Sequence, residues 1–298
     1  MISMIGWIQR THLNNPSRRE LDPLIEKYDL HELVAEDLIE LNAQDKIDMY
    51  EDHISIIFHF PKFDTSSQRY LLNEISLVIG ADWIISATRF ETGMIGRVHK
   101  KLSEEFEYLD TQELYKKSPY YILYILIEIL YDKSLKLLMT FNKDLIRLEE
   151  LVLKTSLDKQ TIRSLMIKKR NISFLKYTFH YQDEVLNGIW SHVWEDLGVY
   201  FEDLTTKHTK IMNLIALSQE NIDSMASTYD ALMTINTNNT ILTLTIFTWI
   251  MLPLTLLTGL FGMNVPLPFS QNIYAFPIIC AMMIVFAITT IVRFKRSA

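Results

Sequence analysis

The sequence predicts an α+β water-soluble part that leads through long helices into two C-terminal membrane spans. Three observations predict it. Apolar Ile54, Ile56, Phe58 and Phe60 alternate with His53, Ser55 and His59, the period of a strand with one buried face. Three stretches, Tyr120 to Leu153, Lys159 to Leu186 and Val193 to Gly262, are nearly free of glycine and proline, as helices are. No charged residue lies between Asp230 and Arg293, a run of 62 residues where the chain's 22% charge content would place about 14.

Taken in order, the first 230 residues hold 26 basic and all 36 acidic residues, a formal charge of −10 within a chain total of −7. Such a part is water-soluble and has little affinity for nucleic acid. Met1 to Leu13 lacks the pattern of a secretory signal peptide, and the chain's one cysteine, Cys280, allows no intramolecular disulfide, so the soluble part is expected in the cytoplasm. The acidic run Glu32, Glu36, Asp37, Glu40, Asp45, Asp48, Glu51 and Asp52 reads as a solvated helix face. His53 and His59 share a strand face, read as surface, and lie roughly 20 Å apart along an extended chain, too far to ligate one metal. Ile75 to Ile79 and Trp83 to Ala87 are further strands, and from Leu102 onward the text turns helical. Tyr120, Tyr121, Tyr124 and Tyr131 read as core or helix-packing residues. His180, Trp190, His192 and Trp194 read as packing around a helix turn near Gly188. There is no phosphate-binding glycine loop, nucleophile elbow or Cys/His metal knuckle, so an enzyme is not expected.

Within the uncharged run, residues 241–260 and 273–292 are two mostly apolar stretches of 20 residues, each long enough to cross roughly 30 Å of hydrocarbon. The linker Phe261 to Asn272 carries two prolines and no charge. The tail Arg293-Phe294-Lys295-Arg296 is basic, which by the positive-inside rule places both termini in the cytoplasm and the linker outside. A 3,4 spacing from Asn238 selects Ile241, Thr245, Thr248, Leu252, Thr255, Gly259 and Gly262, a stripe of small or hydroxyl side chains with apolar members. Small and polar residues on one face of a membrane helix meet protein or water; the stripe alone fits helix packing, with threonines bonded back to their own helix, or a water-filled path. The same spacing reaches back through Met233, so the first span continues as a helix out of the bilayer. Pro253 removes one backbone donor inside it.

Gly262-Met263-Asn264, at the outer end of the first of two C-terminal spans, resembles the signature of CorA-type divalent-cation channels. It follows Leu252-Pro253-Leu254-Thr255 and Gly259-Leu260-Phe261 at that family's spacing, after Asn238 and Leu244 at positions where the family lines its pore. Upstream, Glu36-Asp37-Leu38-Ile39, then Asp45-Lys46-Ile47-Asp48-Met49-Tyr50 and an apolar strand, is similar to the family's cytoplasmic domain. The resemblance implies a funnel-shaped homopentamer in the bacterial inner membrane, with an α/β cytoplasmic domain at 1–115, a helical stalk at 116–239 and a transmembrane hairpin at 240–298. Five first spans would surround the axis, passing Mg²⁺, or Co²⁺ or Ni²⁺, down the electrochemical gradient.

The resemblance also assigns roles. Mg²⁺ holds six waters and dehydrates reluctantly, so a ring of Asn264 amide oxygens accepting hydrogen bonds from that water shell selects without trapping. Gly262 and Met263 would shape the mouth. Asn238, Thr255 and Gly259 would line the path, and Leu244 and Leu252 would form apolar constrictions able to gate by dewetting. The family's cytoplasmic regulatory metal site lies between subunits and pairs an acidic residue of the α/β domain, here Asp64, with a stalk carboxylate. Ser227 stands at that stalk position, with Asp223 or Asp230 as substitutes and gating by internal Mg²⁺ as the expectation. The linker segment Val265 to Asn272 lacks the carboxylate common in the family, which keeps a Zn²⁺ transporter or an exporter open. A membrane-anchored sensor whose spans dimerise is the reading from a different class.

Overall fold

The computed structural model describes residues 2–5, 8–89, 118–154, 158–191, 197–263 and 274–297, so the helical text expected at 102–117 falls outside it. Its first compact unit is residues 1–226. Six strands form one sheet: β1 (Ile2–Ile5), β2 (Ile8–Asn14), β3 (Lys46–Met49), β4 (Ile54–Asp64), β5 (Arg69–Ile79) and β6 (Trp83–Thr88). Their order is β1-β2-β6-β5-β4-β3, with β2 and β6 parallel and every other neighbouring pair antiparallel. The strands expected at 54–60, 75–79 and 83–87 are β4, β5 and β6, whose β-branched and aromatic residues suit a pleated sheet.

The expectation of a single buried face is corrected by the helices α1 (Arg18–Tyr28) and α2 (Glu32–Ile39). Leu21, Leu24, Val34 and Leu38 from them pack with Val78, Ile85 and Ala87 on one side of the sheet. Ile54, Ile56, Phe58, Phe60, Ile75 and Leu77 pack with later helices in a second cluster. Both faces are therefore covered, and His53 and His59 are only 7% and 3% exposed rather than surface residues. His53 stacks on Tyr50, ring centroids 4.7 Å apart. His59 Nδ1 bonds Asp45 Oδ1 at 2.9 Å and its Nε2 lies 3.5 Å from Glu74 Oε2, the residue opposite it on β5. Asn42 N–H donates to the same Glu74 oxygen at 2.7 Å, Arg89 Nε lies 3.7 Å from Oε1, and Gln182 Nε2 donates to the His59 carbonyl at 2.7 Å. Nor is the acidic run one helix face: it spans α2, β3 and the loops after each, with Asp45 buried and Asp37 and Asp48 held by Lys46 at 2.7 and 3.1 Å.

Four further helices follow: α3 (Pro119–Lys154), α4 (Lys159–His180), α5 (Gln182–Trp190) and α6 (Gly198–Phe261). The helix expected over 159–186 is two helices parted at Tyr181, and Gly188 sits inside α5 rather than at a turn. An added Cβ there would come 2.8 Å from Ile47 Cγ2, so glycine lets α5 pack closely on β3. On α6, buried Phe201, Leu204, His208, Ile211, Ile215, Ser218, Ile222 and Met225 recur at alternating threes and fours, a heptad seam. The cluster that holds its apolar members includes Tyr131, Leu138 and Phe141 of α3 and Leu165, Leu175 and Phe179 of α4. The expected core role of Tyr121, Tyr124 and Tyr131 is realised there. Polar members of the seam are bonded: His208 Nε2 to the Phe179 carbonyl at 2.9 Å, and the Ser218 hydroxyl to Asn142 Oδ1 at 2.6 Å. Beside the seam, Lys207 Nζ bridges Glu128, Asp132 and Asp203 at 3.1, 3.2 and 3.4 Å.

The second unit, residues 227–298, contains the end of α6 and the helix α7 (Ala275–Ser297). α6 is long and apolar enough to cross a membrane, and α7 carries the shorter apolar stretch Pro277–Thr290.

Burial pulls the His59 pKa down, but its bonds to Asp45 and Glu74 outweigh this and hold it at about 9; the same imidazolium holds Glu74 below its ordinary value despite burial. Because the folded value lies above the 6.5 of a free imidazole, the stabilisation is complete below about pH 6.5 and drains away as pH rises through about 9. His59→Ala should cost about 3–5 kcal/mol at neutral pH, because it leaves buried Asp45 without its cation and Glu74 with Arg89 alone. Thermal melts from pH 6 to 10 check both statements: wild type should lose stability across that window more steeply than the variant.

Candidate functional site

The span portion of α6 presents its side chains outward: no side chain from Ala231 to Met263 is buried within the chain. Apolar surface of that extent needs lipid or protein against it. Leu244 and Leu252, the expected constrictions, are 64% and 65% exposed, and Asn238 is exposed as well. A shallow groove of about 720 Å³ runs along one side of the helix, and it brings together Thr248, Leu252, Thr255, Gly259 and Met263 from the expected stripe and mouth. Asn238, Leu244 and Gly262 do not line it. Met251 does, at four residues from Thr255, a helical spacing that the 3,4 selection from Asn238 passed over.

The threonine hydroxyls are oriented by the helix itself. Thr245 donates to the Ile241 carbonyl at 2.8 Å, Thr248 to Leu244 at 2.9 Å and Thr255 to Met251 at 2.8 Å. With its one proton committed inward, each hydroxyl keeps oxygen lone pairs for outside donors. Water bound to a cation donates outward, so such oxygens suit a hydrated cation and leave it uncharged company. The packing and the water-path readings of the stripe thus share one geometry.

At the helix end, Gly262 N–H donates to the Thr258 carbonyl at 2.9 Å and Met263 N–H to the Leu260 carbonyl at 3.3 Å, a last turn tightened to three residues. Asn264 and the linker 265–273 lie outside the described residues.

In the first unit, Asp64 ends β4 and caps the turn that follows. Its Oδ1 accepts from the Ser66 amide and hydroxyl at 3.1 and 2.9 Å, and its Oδ2 from the Ser67 amide and hydroxyl at 3.2 and 2.6 Å. The serine hydroxyls, Ser67 foremost, lower its pKa to about 2. Asp223 on α6 pairs with Lys169 Nζ of α4 at 2.8 Å, both side chains half exposed. Lys169 is 54 residues away in the chain, and nothing in its local sequence marks it as this partner. Among the described residues no three His, Cys, Asp or Glu side chains are grouped to hold a metal ion.

The two glycines of the stripe meet different surroundings. A Cβ on Gly262 would come 3.1 Å from the Thr258 carbonyl, whereas one on Gly259 would meet nothing of this chain within 4 Å. Gly262→Ala should therefore disturb the helix end of the subunit itself. Gly259→Ala should leave the subunit's helix content and thermal stability unchanged; circular dichroism melts of the two variants separate the cases.

Known proteins share these elements. The Cobalt/magnesium transport protein CorA of Thermotoga maritima is 26% identical over 276 residues, 91% of this chain and 77% of that protein. The complete structure of CorA magnesium transporter from Methanocaldococcus jannaschii matches with a TM-score of 0.84 at 20% identity, covering 98% of this chain and 91% of that one. The ZntB cytoplasmic domain from Vibrio parahaemolyticus RIMD 2210633 matches with a TM-score of 0.61 at 13% identity, over 76% of this chain and 88% of that domain. The two structures share the fold, a mixed sheet covered by helices with one very long helix running toward the C-terminus. The family described as CorA-like Mg²⁺ transporter protein matches residues 7–296, nearly the whole chain, and this protein belongs to it.

Proposed function

We propose that this chain is the subunit of a homopentameric channel that carries hydrated Mg²⁺, and with it Co²⁺ or Ni²⁺, across the bacterial inner membrane. The observation that carries the reading is the charge-free outer portion of α6, whose groove carries acceptor oxygens at Thr248 and Thr255 with Leu252 between them, within a chain that matches the transporter family from residue 7 to 296. Five copies of that face around an axis make a narrow path with neutral acceptors and apolar rings. Neutral acceptors bind the water shell weakly enough to release it, as conduction requires. No fuel is needed, since an inward-negative potential drives a divalent cation with about 4.6 kcal/mol per 100 mV.

In this reading residues 1–115 form the cytoplasmic α/β domain, 116–239 the stalk and 240–298 the membrane hairpin, with both termini inside. Asn264, just beyond Met263, selects the hydrated ion; Leu244 and Leu252 gate; Asn238, Thr255 and Gly259 line the path; Gly262 and Met263 hold the mouth. Mg²⁺ is cargo here.

A Zn²⁺ transporter or an exporter is the second reading, favoured by the lack of a carboxylate in Val265 to Asn272, which removes an external cation trap. Uptake measured with Mg²⁺, Co²⁺ and Zn²⁺ at matched concentrations is expected to favour Mg²⁺ or Co²⁺; Zn²⁺ preference would move the assignment. Expression in a Mg²⁺-transport-deficient bacterium should restore growth, and Asn264→Ala should abolish rescue while the pentamer persists. A detergent-solubilised dimer in place of a pentamer would instead support the anchored sensor.

A further inference from the structure

Away from the α6 groove, a half-open cavity of about 240 Å³ lies between the β4–β5 hairpin and the helices α3 and α4. It has room for about eight waters, and being smaller than the roughly 300–1,000 Å³ of sites for drug-sized molecules it suits a small metabolite. Its apolar side is aromatic and aliphatic. The ring centroids of Phe63 and Tyr70 are 5.1 Å apart and those of Tyr70 and Phe141 6.4 Å apart, while Leu137 and Ile167 line the helix side. The Asn171 side-chain amide and the Arg170 guanidinium both donate to the Gln68 carbonyl, at 3.0 and 3.3 Å, which pins the hairpin turn to α4. The walls are therefore set by the chain itself.

Three polar groups meet this apolar body. Lys168 Nζ stands 5.0 Å from the centre of the Phe141 ring and 2.9 Å from Asp144 Oδ2. The other Asp144 oxygen meets Arg147 at 3.8 Å, through a side chain that is 82% exposed. Tyr70 is 8% exposed, and its hydroxyl has no hydrogen-bond partner among the described residues. Burial, and then the negative charge of Asp144, push its pKa up to about 12, so the hydroxyl keeps its proton and feels the carboxylate. A nearly buried hydroxyl without a partner costs free energy, which a bound acceptor recovers.

We propose that this cavity binds a free apolar α-amino acid, with its side chain on Phe63, Tyr70 and Phe141, its carboxylate on Lys168 and Tyr70, and its ammonium on Asp144. A zwitterion complements the Lys168–Asp144 pair end to end. A simple carboxylate would leave Asp144 facing a like charge, and a simple amine would do the same to Lys168. Bound there, the ligand joins the sheet to α3 and α4. Binding does not depend on the channel reading.

Isothermal titration of the full detergent-solubilised chain with L-leucine and L-phenylalanine should show saturable binding. Glycine, which has both charges without the apolar body, should show none up to about 10 mM. 4-Methylpentanoate and 3-methylbutylamine carry one charge each and should bind at least about tenfold more weakly than leucine, the worth of one charge-assisted hydrogen bond. Tyr70→Phe removes only the unpartnered hydroxyl, so its melting temperature should match wild type while leucine binds about three- to tenfold more weakly. Lys168→Met should weaken leucine at least about tenfold. The proposal is overturned if neither amino acid binds saturably up to about 10 mM, as when a second copy of the chain fills the cavity. Leucine binding that both variants leave at the wild-type level, or that glycine equals, would overturn it as well.

Discussion

One helix has to satisfy two solvents, and the rest of the structure follows from how it does so. Up to Met225, α6 is an amphipathic helix whose heptad seam is buried against α3 and α4 while its other faces meet water. From Ala231 to its end at Phe261, α6 carries no charge and no side chain buried within the chain. In hydrocarbon a backbone group without a partner costs several kcal/mol, so only a regular helix can continue there, and side chains must supply whatever polarity the segment keeps. Threonine meets that demand by donating its proton to its own helix and leaving an oxygen outward.

That economy of polarity bears on transport. A carboxylate facing the groove would bind a divalent ion strongly and slow its release; a hydroxyl or amide oxygen touches the water shell and lets it go. On this face Leu252 lies between Thr248 and Thr255, so an apolar side chain separates two outward hydroxyl oxygens. Pro253, next to Leu252, removes one backbone donor inside α6, a loss that membrane helices tolerate where water or a neighbouring helix satisfies the freed carbonyl.

In the soluble part, charges are handled in the opposite way: carboxylates are abundant and the chain's own cations hold them. His59 holds Asp45 and Glu74 inside the sheet domain, Lys207 gathers three carboxylates between α3 and α6, and Lys169 binds Asp223 across α4 and α6. The buried cluster carries the larger stakes, since removal of one partner there strands charge in a low dielectric, while the half-exposed pairs contribute orientation more than energy.

The sequence by itself determined the membrane segment, the three central strands and the long helices, because each is written in local periodicity or in the absence of charge. The stripe Thr248, Leu252, Thr255 and Gly259 was legible for the same reason: a helix maps spacing directly onto one face. The seam from Phe201 to Met225 emerged only from the packing, because a histidine and a serine at seam positions disguise it. Only the tertiary structure decided which polar residues are interior. His59 reads as a surface residue by alternation, and it is buried because α1 and α2 cover the second face of the sheet, a fact no strand pattern contains. The break at Tyr181 and the close packing of Gly188 on Ile47 depend likewise on where α5 lands. Lys169 and Asp223 meet across 54 residues, so their pairing is a property of how helices pack, and local spacing carries no trace of it.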